Sequence, residues 1–309
     1  MTRVLVTGAT GFCGRPLVAR LAAAGHAVRA AVRRAPTPPF PAGVEIALHG
    51  DLGEPVDWAP LLAGVDAVVH LAAVAHITRD IPDDRYDRVN HRATAELARA
   101  AQRAGIRHVV FVSSIRAQCG PAADHVLTEA DTARPTDAYG RSKLAAEGAL
   151  AAAGVPFTIL RPVLIYGPGL KGNLAMLARL AALPIPLPFA RFANRRSLVG
   201  VDNLIGAIVF ALDTPATHGE TYVVADPQPV TLADIVGALR PSGAPRLFAL
   251  PQGLVAAAVR MIAGADAWDR LSGELMAFPG KLMAAGWSPV PDTKAALRAC
   301  SGVPAAGRS

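Results

Sequence analysis

The chain is poor in cysteine and aromatics and has no long uninterrupted apolar run. Its three cysteines, Cys13, Cys119 and Cys300, are odd in number and have no metal-ligand spacing. This argues against a disulfide framework and for a reducing setting. Eight histidines form no H-E-x-x-H or comparable set, so no metal is expected. No uncharged stretch approaches the roughly 18 residues of a spanning helix, so no membrane partner is expected. An apolar strand comes directly after Met1-Thr2, which leaves no room for a signal peptide and implies a cytoplasmic location. The formal charge is +7, but arginines are dispersed or in short pairs such as Arg33-Arg34 and Arg195-Arg196. Without a basic run interleaved with aromatics, no nucleic-acid partner is expected. Attraction to small anions accounts for the charge better.

What is present is a large apolar fraction, 52% of 309 residues, enough for one large α/β domain with or without a smaller lobe. Strand-like runs recur at 3–6, 27–32, 44–48, 66–71, 107–113 and 156–161, with helical patterns between most of them. This alternation predicts a doubly wound parallel sheet. After Pro162 the pattern loosens. Pro184, Pro186 and Pro188 mark loops, and after them come a strand near 220–225 and helices near 202–212, 231–240 and 254–263. The expected organisation is a Rossmann core over 1–165 and a smaller lobe over 166–300, with some chain returning to the core. Residues 301–309 read as a tail.

Four elements carry chemistry. Thr7-Gly8-Ala9-Thr10-Gly11-Phe12-Cys13-Gly14 lies between an apolar strand and a helix. That is the context of a dinucleotide fingerprint, in which glycines permit a tight turn and the helix N-terminus attracts a pyrophosphate. Ser113-Ser114 closes another strand, at the sheet edge where ligands bind in open parallel sheets. Tyr139 and Lys143 are four residues apart on one helix face. An ammonium beside a phenol favours the phenolate, so Lys143 is expected to lower the Tyr139 pKa and fit it for proton exchange with a hydroxyl. Asn90 is read as opening a helix that runs to about Ala104.

In this order and at these separations, the elements resemble the extended short-chain dehydrogenase/reductase superfamily and, within it, the NAD-dependent epimerase/dehydratase family. Leu160-Arg161-Pro162, Tyr166-Gly167-Pro168-Gly169 and the stretch Asn194 to Leu204 resemble the UDP-glucose 4-epimerase-like subgroup. The resemblance implies an enzyme, with Ser114, Tyr139 and Lys143 catalytic. It implies a nicotinamide dinucleotide held by Gly8, Thr10, Gly11, Phe12, Cys13, Gly14, Leu71, Ala72, Ala73, Asn90, Tyr139, Lys143 and Pro162, with Asp51 and Leu52 near adenine. A UDP-hexose would meet His76, Ser114, Asn173, Arg196 and Arg270.

The second strand ends in Val32-Arg33-Arg34, with no carboxylate to accept from the adenosine ribose. A guanidinium there suits a 2′-phosphate, so NADP(H) is favoured over NAD(H), which stays open. The expected reaction is C4 epimerisation of the UDP-hexose. The alternatives are a 4-keto reductase, a reductase of a flavonoid-, sterol- or hopanoid-like substrate, and a non-catalytic dinucleotide-binding scaffold. A homodimer stays open. In two places the chain departs from the family pattern. Gln118-Cys119-Gly120 stands where Tyr-Gly is frequent, and Phe278-Pro279-Gly280-Lys281 stands where the subgroup often carries Asp.

Overall fold

The computed structural model describes residues 2–75, 81–170, 172–240, 246–264, 268 and 272–300. Seven strands form one parallel sheet: β1 (Arg3–Thr7), β2 (Ala27–Val32), β3 (Glu45–Leu48), β4 (Ala67–His70), β5 (His108–Val112), β6 (Phe157–Pro162) and β7 (Glu220–Val224). Their spatial order is β7-β6-β5-β4-β1-β2-β3. The apolar runs predicted as strands are those strands, to within a residue or two at the ends.

The central strands are apolar throughout because both sheet faces are covered. Side chains alternate, so Val4 and Val6 of β1 enter one core and Leu5 enters the other. On the first face lie α1 (Gly14–Ala23), through Leu17, Val18 and Leu21, and the helix Val201–Asp213. On the second lie α2 (Ala93–Arg103) and α3 (Ala138–Ala152), through Leu97, Ala101, Ala146 and Leu150. Val201–Asp213 and β7 thus belong to the main sheet, although they lie late in the chain.

A third core, apart from α5 (Val201–Asp213), gathers α4 (Gly172–Ala181), α6 (Leu232–Leu239) and α7 (Gln252–Ala263). Leu174, Phe189, Phe192, Ile235 and Val255 fill it. Residues 183–189 form a loop there, as the prolines require. The strand order reverses between β1 and β4, whose carboxyl ends at Thr7 and His70 are paired in register. That switch point is where an open α/β sheet leaves a crevice for a ligand.

Candidate active site

The glycine turn sits directly at the switch point. Gly8 has φ +67°, and a Cβ there would stand 2.7 Å from the Ala72 backbone nitrogen. A Cβ on Gly14 would stand 2.1 Å from the Gly8 carbonyl oxygen. Neither position accepts a side chain, so turn, β4 loop and helix approach as bare backbone. The Gly11 N–H donates to the Gly8 carbonyl at 2.9 Å and closes the turn. Thr10 and Gly11 are exposed, while Phe12 and Cys13 are half-buried against the core. α1 has no acidic residue in its first turn. Its positive dipole end fits the pyrophosphate of a dinucleotide.

The loop after β4 is the facing wall. Leu71 N–H donates to the Thr7 carbonyl at 3.3 Å and Ala72 N–H to Thr7 Oγ1 at 3.2 Å. Beyond Ala73, Val74 is held by Asn90, which accepts from its N–H at 2.8 Å and donates to its carbonyl at 3.1 Å. The Asn90 amide also donates to Ser142 Oγ at 3.0 Å, and Ser142 donates to the Tyr139 carbonyl at 2.7 Å.

This corrects the expectation for Asn90. The helix begins at Asp83, and Asn90 lies within a π-helical turn, Asp87–Arg92, that leads into α2. The side chain is 1% exposed and fully engaged, rather than a solvated or capping residue. A π turn inserts one residue and rotates the helix face around it, which aims Asn90 at the β4 loop.

Tyr139, Ser114 and Lys143 are all buried at the carboxyl edge of the sheet. Asp137 caps α3 by accepting from Gly140 N–H at 2.6 Å, and Arg116 pairs with the same carboxylate. Gly140 is required here, because a Cβ would stand 2.2 Å from the Arg116 carbonyl oxygen. The first turn of α3 therefore lies against the segment Ile115–Ala117 just past Ser114. The Ser114 hydroxyl lies close enough to the Tyr139 phenol to favour its ionised form, and Ser114 Oγ accepts from Arg116 N–H at 3.1 Å.

The electrostatics differ from the expectation for the Tyr-Lys pair. Burial pushes the Tyr139 phenol up, and the Ser114 hydroxyl is the largest influence holding it down. Lys143 is not among its main influences. The ammonium is directed at the sheet, donating to the Val112 carbonyl at 2.8 Å and lying 4.1 Å over the Phe111 ring. Burial pulls Lys143 down to about 7, against an opposing pull from Glu147.

Behind the serines, a buried network that the sequence did not reveal fixes β5 against β6. Glu147 accepts from Ser113 and pairs with Arg161 at 2.6 Å. Arg161 reaches Gln118 Oε1 at 3.1 Å, and Gln118 Nε2 donates to the Thr128 and Asp131 carbonyls. Gln118 is thus a structural brace. Cys119 is inert: burial raises its thiol to about 11. Pro162 ends β6 beside this network.

At the carboxyl end of β2, Arg33 and Arg34 are exposed immediately after the strand. Arg33 acts electrostatically on both His49 and Asp51. Asp51 forms a two-oxygen pair with Arg85 at 2.9 and 2.8 Å, next to buried Leu52. Arg196 is half-buried on the short strand Arg195–Arg196 and donates to the Gly273 carbonyl at 2.7 Å; burial lowers its pKa. Asn173 lies in α4. Its side chain, His76 and Arg270 lie outside the described residues.

Sheet order, switch-point crevice, side-chain-free turn and Ser-Tyr-Lys cluster together define an NAD(P)-dependent enzyme of the extended short-chain dehydrogenase/reductase type. Residues 4–225 match the NAD dependent epimerase/dehydratase family, and the chain belongs to it. The chain is 36% identical to a UDP-glucose 4-epimerase of Vibrio cholerae over 243 residues, 75% of this chain and 73% of that protein. It is 32% identical to a ceramide reductase of Caulobacter vibrioides over 293 residues, 93% of this chain and 86% of that protein. UDP-glucuronic acid 4-epimerase from Bacillus cereus, solved in complex with NAD, shares the fold at TM-score 0.76 and 21% identity, over 96% of this chain and 97% of that one.

Proposed function

We propose that this protein is a nucleotide-sugar epimerase that inverts C4 of a UDP-hexose. When bound, the nicotinamide dinucleotide supplies reversible hydride acceptance at the sugar carbon. The glycine turn and the α1 N-terminus would hold its pyrophosphate, Leu71 to Ala73 would line its other side, and Lys143 would meet its nicotinamide ribose. Tyr139 exchanges a proton with the C4 hydroxyl, and Ser114 orients the same oxygen. Arg196 pairs with the UDP diphosphate, together with Asn173. His76 and Arg270 complete the substrate contacts.

The reading rests on Tyr139. It is a buried phenol beside the Ser114 hydroxyl, on a helix tied through Ser142 and Asn90 to the loop that faces the glycine turn. An intact set of this kind supports turnover over a scaffold role. Arg196 supports an anionic substrate over an apolar one.

A second reading is favoured by one observation. Exposed Arg33 and Arg34, with no carboxylate at the end of β2, suit NADPH. An NADPH-dependent enzyme that only returns hydride is a 4-keto reductase. Incubation with UDP-galactose or UDP-N-acetylglucosamine without added cofactor separates the two. Appearance of the C4 epimer supports the epimerase. NADPH oxidation by a UDP-4-keto sugar, without epimer, supports the reductase. If neither occurs and Arg196→Ala leaves UDP binding unchanged, the nucleotide-sugar reading fails.

A further inference from the structure

The C-terminal lobe carries an apolar surface that the proposed chemistry does not use. α7 buries Val255 and Ala256 in the lobe core. Its opposite face is apolar as well. Leu254, Ala257, Ala258 and Met261 recur at helical spacing and are all exposed, Leu254 by 62% and Met261 by 83%. A helix apolar on both sides belongs in a core or against a second apolar phase. Segments bonded to one another beside it also expose Leu183, Ile185 and Phe248.

These segments are joined, not scattered. Phe248 N–H donates to the Leu187 carbonyl at 3.0 Å, and Ala190 N–H donates to the Phe248 carbonyl at 3.2 Å. Arg240 Nη2 donates to the Ile185 carbonyl at 2.9 Å, and Gln252 Nε2 reaches the Arg191 carbonyl at 3.4 Å. Joined exposed apolar segments of this kind mark an interaction surface.

The charge of the same segments has one sign. The sequence has no carboxylate between Glu147 and Asp202, and none between Asp234 and Asp266. Arg191, Arg246 and Arg260 are exposed there.

We propose that this face of the lobe rests on an anionic phospholipid bilayer. The α7 stripe enters the headgroup–acyl boundary while the arginines meet lipid phosphates, as interfacial helices do. A second copy of the chain is a poor occupant. In a two-fold contact the same patch meets itself, and its arginines find no carboxylates. The expectation of no membrane partner came from the lack of a spanning helix, and an interfacial helix needs no such length.

The test is co-sedimentation of the full chain with vesicles of phosphatidylcholine alone and of phosphatidylcholine with phosphatidylglycerol. The protein should pellet with the anionic vesicles, be released by high salt, and bind little to the neutral ones. Leu254→Glu with Met261→Glu changes only exposed positions, and an unchanged melting temperature would verify the fold. This pair should lower the bound fraction roughly tenfold or more, because it removes apolar contact and adds repulsion. Leu48→Glu, at a site 65% exposed on edge strand β3, should bind as wild type does. Three results overturn the proposal. The wild type stays in the supernatant with both vesicle types. The paired variant binds undiminished. Or the paired variant dissolves a dimer while vesicle binding is unaltered, which gives the face to self-association.

Discussion

Thr7 and His70 face each other in register across β1 and β4 and share a hydrogen bond of 2.7 Å between Thr7 Oγ1 and His70 Nδ1. The other ring nitrogen lies 3.0 Å from Thr94 Oγ1, and Thr94 donates to the Asn90 carbonyl at 2.6 Å. Because the Thr94 hydrogen is committed, Thr94 must accept from His70 Nε2–H. Nδ1 then accepts from Thr7, which itself accepts from Ala72 N–H. Only neutral His70 satisfies this directed chain.

Acid should therefore loosen the fold before the carboxylates titrate. Burial holds His70 down to about 3 and His108 down to about 4, against an ordinary 6.5. Between pH 6.5 and 4 the unfolded chain takes up protons that the folded one refuses, so stability falls as pH falls. Each histidine contributes about 1.4 kcal/mol per pH unit in that window. His108→Gln keeps a donor for Thr158 but cannot titrate. Thermal melting from pH 7 to 4 should show a shallower decline for this variant; an identical slope would reject the assignment.

Tyr139→Phe should keep the fold and dinucleotide binding while turnover falls roughly 100- to 10,000-fold, the range of general acid–base contributions. A variant within a factor of two of wild type would dismiss Tyr139 as the proton-transfer group. Since the buried phenol stays protonated, its ready role without a counter-charge is donor.

Gly140→Ala should destabilise the protein by about 1–3 kcal/mol, because the added Cβ overpacks against the Arg116 backbone. Denaturant melts measure the loss, and a fall in kcat beyond that of unfolding alone would report displacement of Tyr139. An alanine variant as stable as wild type would mean that α3 does not depend on this approach.

Arg33→Ala should weaken NADPH binding by about 1.5–3 kcal/mol, the worth of a charge-assisted contact, and leave NADH nearly unchanged. Titration of both nucleotides against both proteins is the measurement. Equal losses, or a wild-type preference for NADH, would refute the phosphate role.

Asn90→Ala removes the two bonds to Val74 and the one to Ser142. Leaving those buried groups unpaired should cost about 1–3 kcal/mol or more in unfolding free energy. Asn90→Asp keeps the acceptor but sets a buried carboxylate against the Val74 carbonyl, so calorimetry near neutral pH should place it no higher than alanine.

The sheet was legible because strands buried on both faces read as continuous apolar runs, and the glycine turn because a strand and a helix flank it. Asn90 was misread because its orientation depends on a π turn, and helical spacing assumes the ordinary repeat. Gly140 carries no signal of its own between Tyr139 and Lys143, because its need comes from the Arg116 carbonyl, which is distant in sequence. The Lys143 expectation failed for a related reason. Spacing puts two residues on one helix face, but burial and the Val112 carbonyl decide where an ammonium turns. Gln118 departed from the family pattern at a contact position and proved to brace Arg161.

Residues 273–278 join two parts of the molecule that the chemistry needs. On one side Leu275 and Arg196 form a bridge, and Ser197 N–H donates to the Leu275 carbonyl. On the other, Met276–Ala277 pairs with Val126–Leu127, and Ala123 N–H donates to the Glu274 carbonyl. A single extended strip is thus stitched to the strand carrying Arg196 and to the loop that descends from Ser114. Pulling on one seam loads the other. Placing Arg196 and setting the loop after Ser114 are in this sense one mechanical event, and a change that frays the strip should displace both without touching either.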